Sequence, residues 1–145
     1  MLTTHHHVIL SDSRQLTEIE DSSVSLVLTS PPYPMISMWD ALFTELDPAI
    51  ADLLDEGDGV GAFDRMHKCL FPCWKECARV LKPGGLMVIN IGDATRKVGE
   101  FFQLFENHSK ILQQARALGL QVLPDILWRK PNNSPASATQ GPPPP

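Results

Sequence analysis

Pro31 and Pro32 stand directly behind Val24-Ser25-Leu26-Val27-Leu28-Thr29-Ser30, and that junction restricts the fold more than any other stretch. Residues 24–28 are β-branched and leucine-rich, which reads as a buried strand. Proline locks its own φ and has no N–H to give a ladder, and Pro31 also drives Ser30 into extended backbone. The strand must therefore stop, and a stiff loop follows at its carboxyl end. That loop offers the Ser30 hydroxyl, then backbone carbonyls, then the Tyr33 ring. A row of acceptors beside a flat ring suits a planar, amine-bearing group such as a nucleobase. The alternative is that Pro-Pro only punctuates a strand end. In open α/β sheets, ligands sit outside the carboxyl ends of strands.

The flanking sequence predicts alternating strands and helices. Residues 7–10 read as a first strand, with Ser11-Asp12-Ser13-Arg14 supplying polar groups at its carboxyl end. Residues 15–20 fit a short helix, and residues 21–23 a turn. Residues 39–64 carry eight acidic residues and no Lys or Arg, with leucines, Phe43 and Ile50 at helical spacing. They read as one or two short amphipathic helices, then a flexible loop over residues 57–61. The acidic face is expected to be solvated; the functional alternative is a flap over the Pro-Pro loop. Residues 63–81 form the strongest helix, with Met66, Leu70, Trp74, Cys77 and Leu81 on one face. Pro72 should kink it or begin a second segment. Lys82-Pro83-Gly84-Gly85 stops it, and residues 86–91 follow as a buried strand ending in Gly92-Asp93-Ala94-Thr95-Arg96. Residues 101–118 read as a helix and 120–128 as a last strand, on an edge or bulged because of Pro124. This order indicates an α/β fold with a mostly parallel sheet and helices on its faces.

Length and charge narrow the function classes. At 145 residues the chain has the size of one domain, and 43% hydrophobic with 20% charged residues is ordinary for a globular protein. No apolar run approaches the roughly 20 residues that span a bilayer. The N-terminus lacks a basic start followed by an apolar stretch, so a cytoplasmic location is expected. A net charge of −5 argues against a broad nucleic-acid footprint, which needs clustered Lys and Arg. Cys69, Cys73 and Cys77 share a helix face and read as a core stripe. A metal site is the alternative, but it would want a fourth ligand, and His67 lies off that face.

Four stretches, in order, carry a resemblance. They are Ser11-Asp12-Ser13-Arg14; Thr29-Ser30-Pro31-Pro32-Tyr33; Arg79-Val80-Leu81-Lys82-Pro83-Gly84-Gly85 leading into Ile89-Asn90-Ile91-Gly92-Asp93-Ala94-Thr95-Arg96; and Ile126-Leu127-Trp128-Arg129-Lys130-Pro131-Asn132. Together they resemble the DNA amino-methyltransferases whose catalytic motif precedes the cofactor glycine motif. The resemblance implies a Rossmann-like sheet, S-adenosylmethionine as methyl donor, and double-stranded DNA bound through a flipped base. It places Ser30, Pro31, Pro32 and Tyr33 in the catalytic loop: Ser30 and the Pro31 carbonyl accept from the exocyclic amine, and Tyr33 stacks on the base. Serine at the first position is more typical of cytosine-N4 than of adenine-N6 enzymes. Asp12 and Ser30 are the implied cofactor contacts. Asp93 ends a strand on the same edge, either lining the site or capping a turn.

Two parts of the family pattern are not in the sequence: a Phe-x-Gly-x-Gly loop and a target-recognition segment. The expectation is therefore a catalytic half over residues 1–133, partnered by a missing C-terminal half, with a disordered proline-rich tail over 134–145.

Overall fold

The computed structural model describes residues 3–129; the stretch read as a tail lies outside them. A parallel pair is built from β1 (Val24–Thr29) and β2 (Leu81–Ile89), and an antiparallel hairpin from β3 (Ala94–Val98) and β4 (Phe101–Phe105). Between β1 and β2 run a 3-10 turn (Ser37–Trp39), α1 (Asp40–Leu46), α2 (Ala49–Asp55) and α3 (Gly59–Val80); α4 (Asn107–Ala117) follows the hairpin.

Apolar spacing explains α3. Ala62, Met66, Leu70 and Trp74 recur every four residues and all enter the core. Phe43 from α1 and Ile50 from α2 are fully buried beside them, with Val98, Phe105 and Ile111 contributed by the hairpin and α4. Burying a side chain of that size is worth about 1.5–3 kcal/mol. The acidic segment is thus packed down, not poised as a flap. Its acid is solvated only in part: Glu45, Asp52, Asp55 and Glu56 are exposed, but Asp40 takes a two-pronged bond from Arg96 (2.8 and 2.7 Å), Asp47 pairs with Arg65 at 2.7 Å, and Asp64 with Lys110 at 2.7 Å.

The parallel pair runs Leu26 beside Leu86, Leu28 beside Val88 and Thr29 beside Ile89. The strands expected to be buried at 24–28 and 86–91 are instead exposed on the Leu26, Leu28, Leu86 and Val88 face, which no described element covers. Its register slips between Val24 and Leu26 because Leu81 to Gly85 bulge away from β1. Gly84 sits at φ 78°, and a Cβ on Gly85 would stand 2.9 Å from the Lys82 carbonyl oxygen. The glycine pair read as a helix stop is also what shapes the entry to β2.

Several expected elements differ. Residues 7–10 and 120–128 form no strand among the described residues, and Val8, Leu10, Ile126 and Leu127 stay exposed. Strand-like composition needs a ladder partner, and neither segment pairs with a described strand. Residues 15–20 make turns, not a helix, closed by Gln15 N–H to the Asp12 carbonyl (2.9 Å) and Ile19 N–H to the Leu16 carbonyl (3.0 Å). Tertiary bonds replace helical ones there: the Arg79 guanidinium donates to the Leu16 and Ile19 carbonyls, and Glu76 accepts from Leu16 N–H. The helix expected over 101–118 is β4 followed by α4, because a turn at Gly99 (φ 57°) folds residues 101–105 back on β3. Of the loop expected over 57–61, only residues 57 and 58 are non-helical; 59–61 already begin α3, capped by the Asp58 side chain accepting from Gly61 N–H at 2.9 Å. Gly59 lies against the hairpin so closely that a Cβ would meet Gln103 Nε2 at 2.8 Å and Phe105 Cζ at 2.9 Å. Pro72 lies within one continuous 22-residue helix, and no second segment begins there.

Candidate active site

Both strands of the parallel pair end at one edge, and each feeds a loop. After β1 come Ser30 to Met35; after β2 come Asn90 to Asp93. Asn90 N–H donates to the Thr29 carbonyl at 2.9 Å, extending the ladder one step and setting Asn90 beside Ser30. There Asn90 Nδ2 donates to Ser30 Oγ at 3.4 Å, and Ser30 Oγ lies 3.4 Å from the Tyr33 hydroxyl. Ser30 is exposed, Pro31 is buried, and Pro32 and Tyr33 are half-buried. The loop therefore presents a hydroxyl to solvent from a buried proline footing.

The segment behind Tyr33 is held from several sides. Ile36 N–H closes a turn on the Tyr33 carbonyl at 3.2 Å. Met35 is buried at φ 65°, the left-handed region that a side chain rarely enters, and its N–H points at Met66 Sδ, 3.3 Å away on α3. Strain of this kind costs about 1–3 kcal/mol and persists only where surrounding packing enforces it. The two loops touch at Gly92, where a Cβ would lie 3.6 Å from Tyr33 Cε2.

A buried amide joins them. Asn107, the first residue of α4, donates from Nδ2 to the Pro34 and Gly92 carbonyls, both at 3.0 Å, and its Oδ1 lies 3.0 Å from His67 Nε2. The carbonyls can only accept, so the amide orientation is determined, and His67 Nε2 must carry the proton. His67 is fully buried, with its Nδ1 unpaired among the described residues. Burial lowers its pKa to about 4, so it is neutral at pH 7.

Asp93 lies at the end of the second loop. Both its oxygens are 2.8 Å from His108 Nδ1, and Oδ1 also accepts from His108 N–H at 3.1 Å. That hydrogen bond raises the His108 pKa. Asp12 stands apart from this cluster. Its carboxylate is exposed and bonded to Arg14 Nε and Nη2, which lowers its pKa, while neighbouring Ser13 approaches Cys73 Sγ at 3.4 Å. The structure thus gathers Ser30, Pro31, Pro32, Tyr33 and Asp93 at one edge and puts Asp12 on a segment lying along α3. A concavity of about 320 Å³ beside that segment is lined by Gln15, Thr17, Glu76 and Arg79, and shares no residue with the two loops.

The three cysteines are reduced and half-buried. Burial pushes the Cys69 and Cys77 thiols up, away from the thiolate form. Among the described residues, no group of three His, Cys, Asp or Glu side chains is placed to hold a metal ion. No described helix is long and apolar enough to cross a membrane. Sequence reasoning passed over Asn107 and His67 as site-forming residues. Asn90 could be found from its place at a strand end, but Asn107 carries no local signal.

The profile of the N6/N4 DNA methylases matches residues 24–144. The chain belongs to this family. Among curated proteins it is 48% identical to the type II methyltransferase M.MjaI of Methanocaldococcus jannaschii and 47% identical to M.MthZI of Methanothermobacter thermautotrophicus. Each match covers 92% of this chain, but only 48% and 38% of those relatives. The methylase chain thus spans about half their length or less. Among solved structures, a candidate DNA modification methylase of Thermus thermophilus superposes with TM-scores of 0.58 and, in a form complexed with S-adenosyl-L-methionine, 0.59. Identity is 23% in both, over 92% of this chain and 60% or 61% of that one, which establishes the α/β, Rossmann-like methylase fold.

Proposed function

We propose that this methylase segment carries the base-binding half of a DNA methyltransferase acting on the exocyclic amine of a flipped base, cytosine N4 in preference to adenine N6. The observation that carries the reading is the Ser30 hydroxyl, exposed at the carboxyl edge of the parallel pair and flanked at 3.4 Å by Tyr33 and by Asn90. An exocyclic amine shares its lone pair with the ring and is a poor nucleophile. Ser30 Oγ and the Pro31 carbonyl accept its two N–H bonds, which draws the hydrogens out of the ring plane and frees the lone pair. Tyr33 stacks on the base. Fixed acceptors of this kind act through position and electrostatics.

S-adenosylmethionine, when bound, supplies an electrophilic sulfonium methyl. Of the two implied donor contacts, Ser30 is an exposed hydroxyl on the same strand edge as Asp93, whereas Asp12 is a carboxylate held by Arg14 on the segment along α3, apart from that edge. Asp93 is bonded to His108 and lines the edge from the β2 side. A further, C-terminal half would complete the donor site.

The test is transfer of labelled methyl groups to duplex DNA by the chain, supplemented with the part of M.MjaI that it does not cover. Ser30→Ala should lower turnover roughly 100-fold, the scale of removing one positioned polar group. Unchanged turnover would reject the role of Ser30. Recovery of N6-methyladenine from hydrolysed DNA would overturn the cytosine preference. A second reading, an inactive segment used for interaction, is favoured by the exposed Leu26, Leu28, Leu86 and Val88 face of the parallel pair. Complete lack of transfer by the supplemented wild-type chain would select it.

A further inference from the structure

The loop after β1 and the loop after β2 come from opposite ends of a long connection, and neither fixes the other by backbone ladder beyond Asn90. Beside the Asn90 to Ser30 contact, one buried side chain bridges them. Asn107 uses both amide hydrogens, one on the Pro34 carbonyl and one on the Gly92 carbonyl. Pro34 directly follows Tyr33, and Gly92 directly precedes Asp93. Its remaining acceptor takes the His67 Nε2 proton, so α3 sets the direction of the amide. Helix α4 begins at this residue, and its next N–H, that of His108, is taken by Asp93 Oδ1 from the second loop.

We propose that Asn107, oriented by His67, is a positioning residue that sets the spacing between the Ser30–Tyr33 loop and the Asp93 loop. It is buried away from solvent and acts through Pro34 and Gly92. The proposal deepens the methyltransferase reading and rests on it for its catalytic consequence, but its geometric content stands apart from activity. Asparagine is the residue that fits. Two carbonyls need two donors, which aspartate lacks, and the imidazole N–H needs an acceptor, which an alkyl side chain lacks. Each buried group left without its partner is costly, so the bridge holds one arrangement.

Tyr33 is the single tyrosine of the chain, which provides a local probe. The full chain is labelled with meta-fluorotyrosine, and the one fluorine resonance is followed by NMR. Asn107→Ala should move it toward the position of free fluorotyrosine. His67→Phe, which keeps an aromatic ring but removes the donor to Asn107 Oδ1, should move it the same way. His67→Gln, whose amide nitrogen replaces the lost donor, should restore the wild-type position. In the supplemented methyltransferase, kcat should fall roughly 100-fold in Asn107→Ala with KM for the methyl donor unchanged, as expected when reacting groups are misplaced by about 1 Å. A resonance left at the wild-type position in both Asn107→Ala and His67→Phe would overturn the proposal. So would a His67→Gln resonance displaced as far as that of His67→Phe, since that marks loss of packing and not of the hydrogen bond. If Asn107→Ala does not fold, the Phe and Gln pair at position 67 decides. A wild-type chain that transfers no methyl group rejects the methyltransferase reading and leaves the fluorine result to judge the bridge.

Discussion

His67 makes the stability of this fold depend on pH in a calculable way. Its imidazole is fully buried and its pKa falls from 6.5 to about 4, chiefly through burial. The unfolded chain then binds a proton near pH 6.5 that the folded chain refuses until about pH 4. With more protons on the unfolded state in that window, stability falls as pH is lowered through it and is constant above it. A shift of this size corresponds to ~3 kcal/mol in full, of which about 2 kcal/mol is expressed between pH 7 and pH 5. Urea unfolding followed by tryptophan fluorescence is a suitable assay, because Trp74 is almost fully buried. Wild type and His67→Gln are compared at both pH values, so that groups common to both cancel. The wild type should lose about 2 kcal/mol more than the variant between pH 7 and pH 5. Equal losses would refute the reasoning, and a larger loss in the variant would reverse its sign.

Two further predictions concern the frame around the site. Gly59→Val places side-chain atoms against Gln103 and Phe105, where even a Cβ is too close; destabilisation of about 1–3 kcal/mol in urea unfolding is expected. Arg79→Ala frees the Leu16 and Ile19 carbonyls and the Asp21 and Glu76 carboxylates together. Limited proteolysis should then cut first between residues 14 and 21, at a rate well above wild type, with the rest of the chain still protected.

The strand before Pro31, though not its expected burial, and the helix carrying Met66, Leu70 and Trp74 were legible because each depends on local pattern: a β-branched run ended by proline, and apolar residues every four positions. The edge bearing Ser30, Tyr33 and Asp93 followed from the same logic, since strand ends define it. The hairpin was not legible. Phe101, Phe102, Leu104 and Phe105 suit a helix face as readily as a strand, and only pairing with residues 94–98 decides between them. Residues 7–10 and 120–128 failed for the converse reason: their composition favours strands, but composition supplies no partner. Asn107 was invisible because its role arises from three contacts 15 to 73 residues away in sequence.

The outward face of β1 and β2 has a consequence of its own. Leu26 and Leu28 lie in register with Leu86 and Val88, and all four are 43–71% exposed, while Met87 and Ile89 on the opposite face pack against the core. The aliphatic row is already assembled, so covering it needs little further loss of backbone freedom. A second copy that settled there would gain contact area at low entropic cost, and such pairing would be second order in chain concentration.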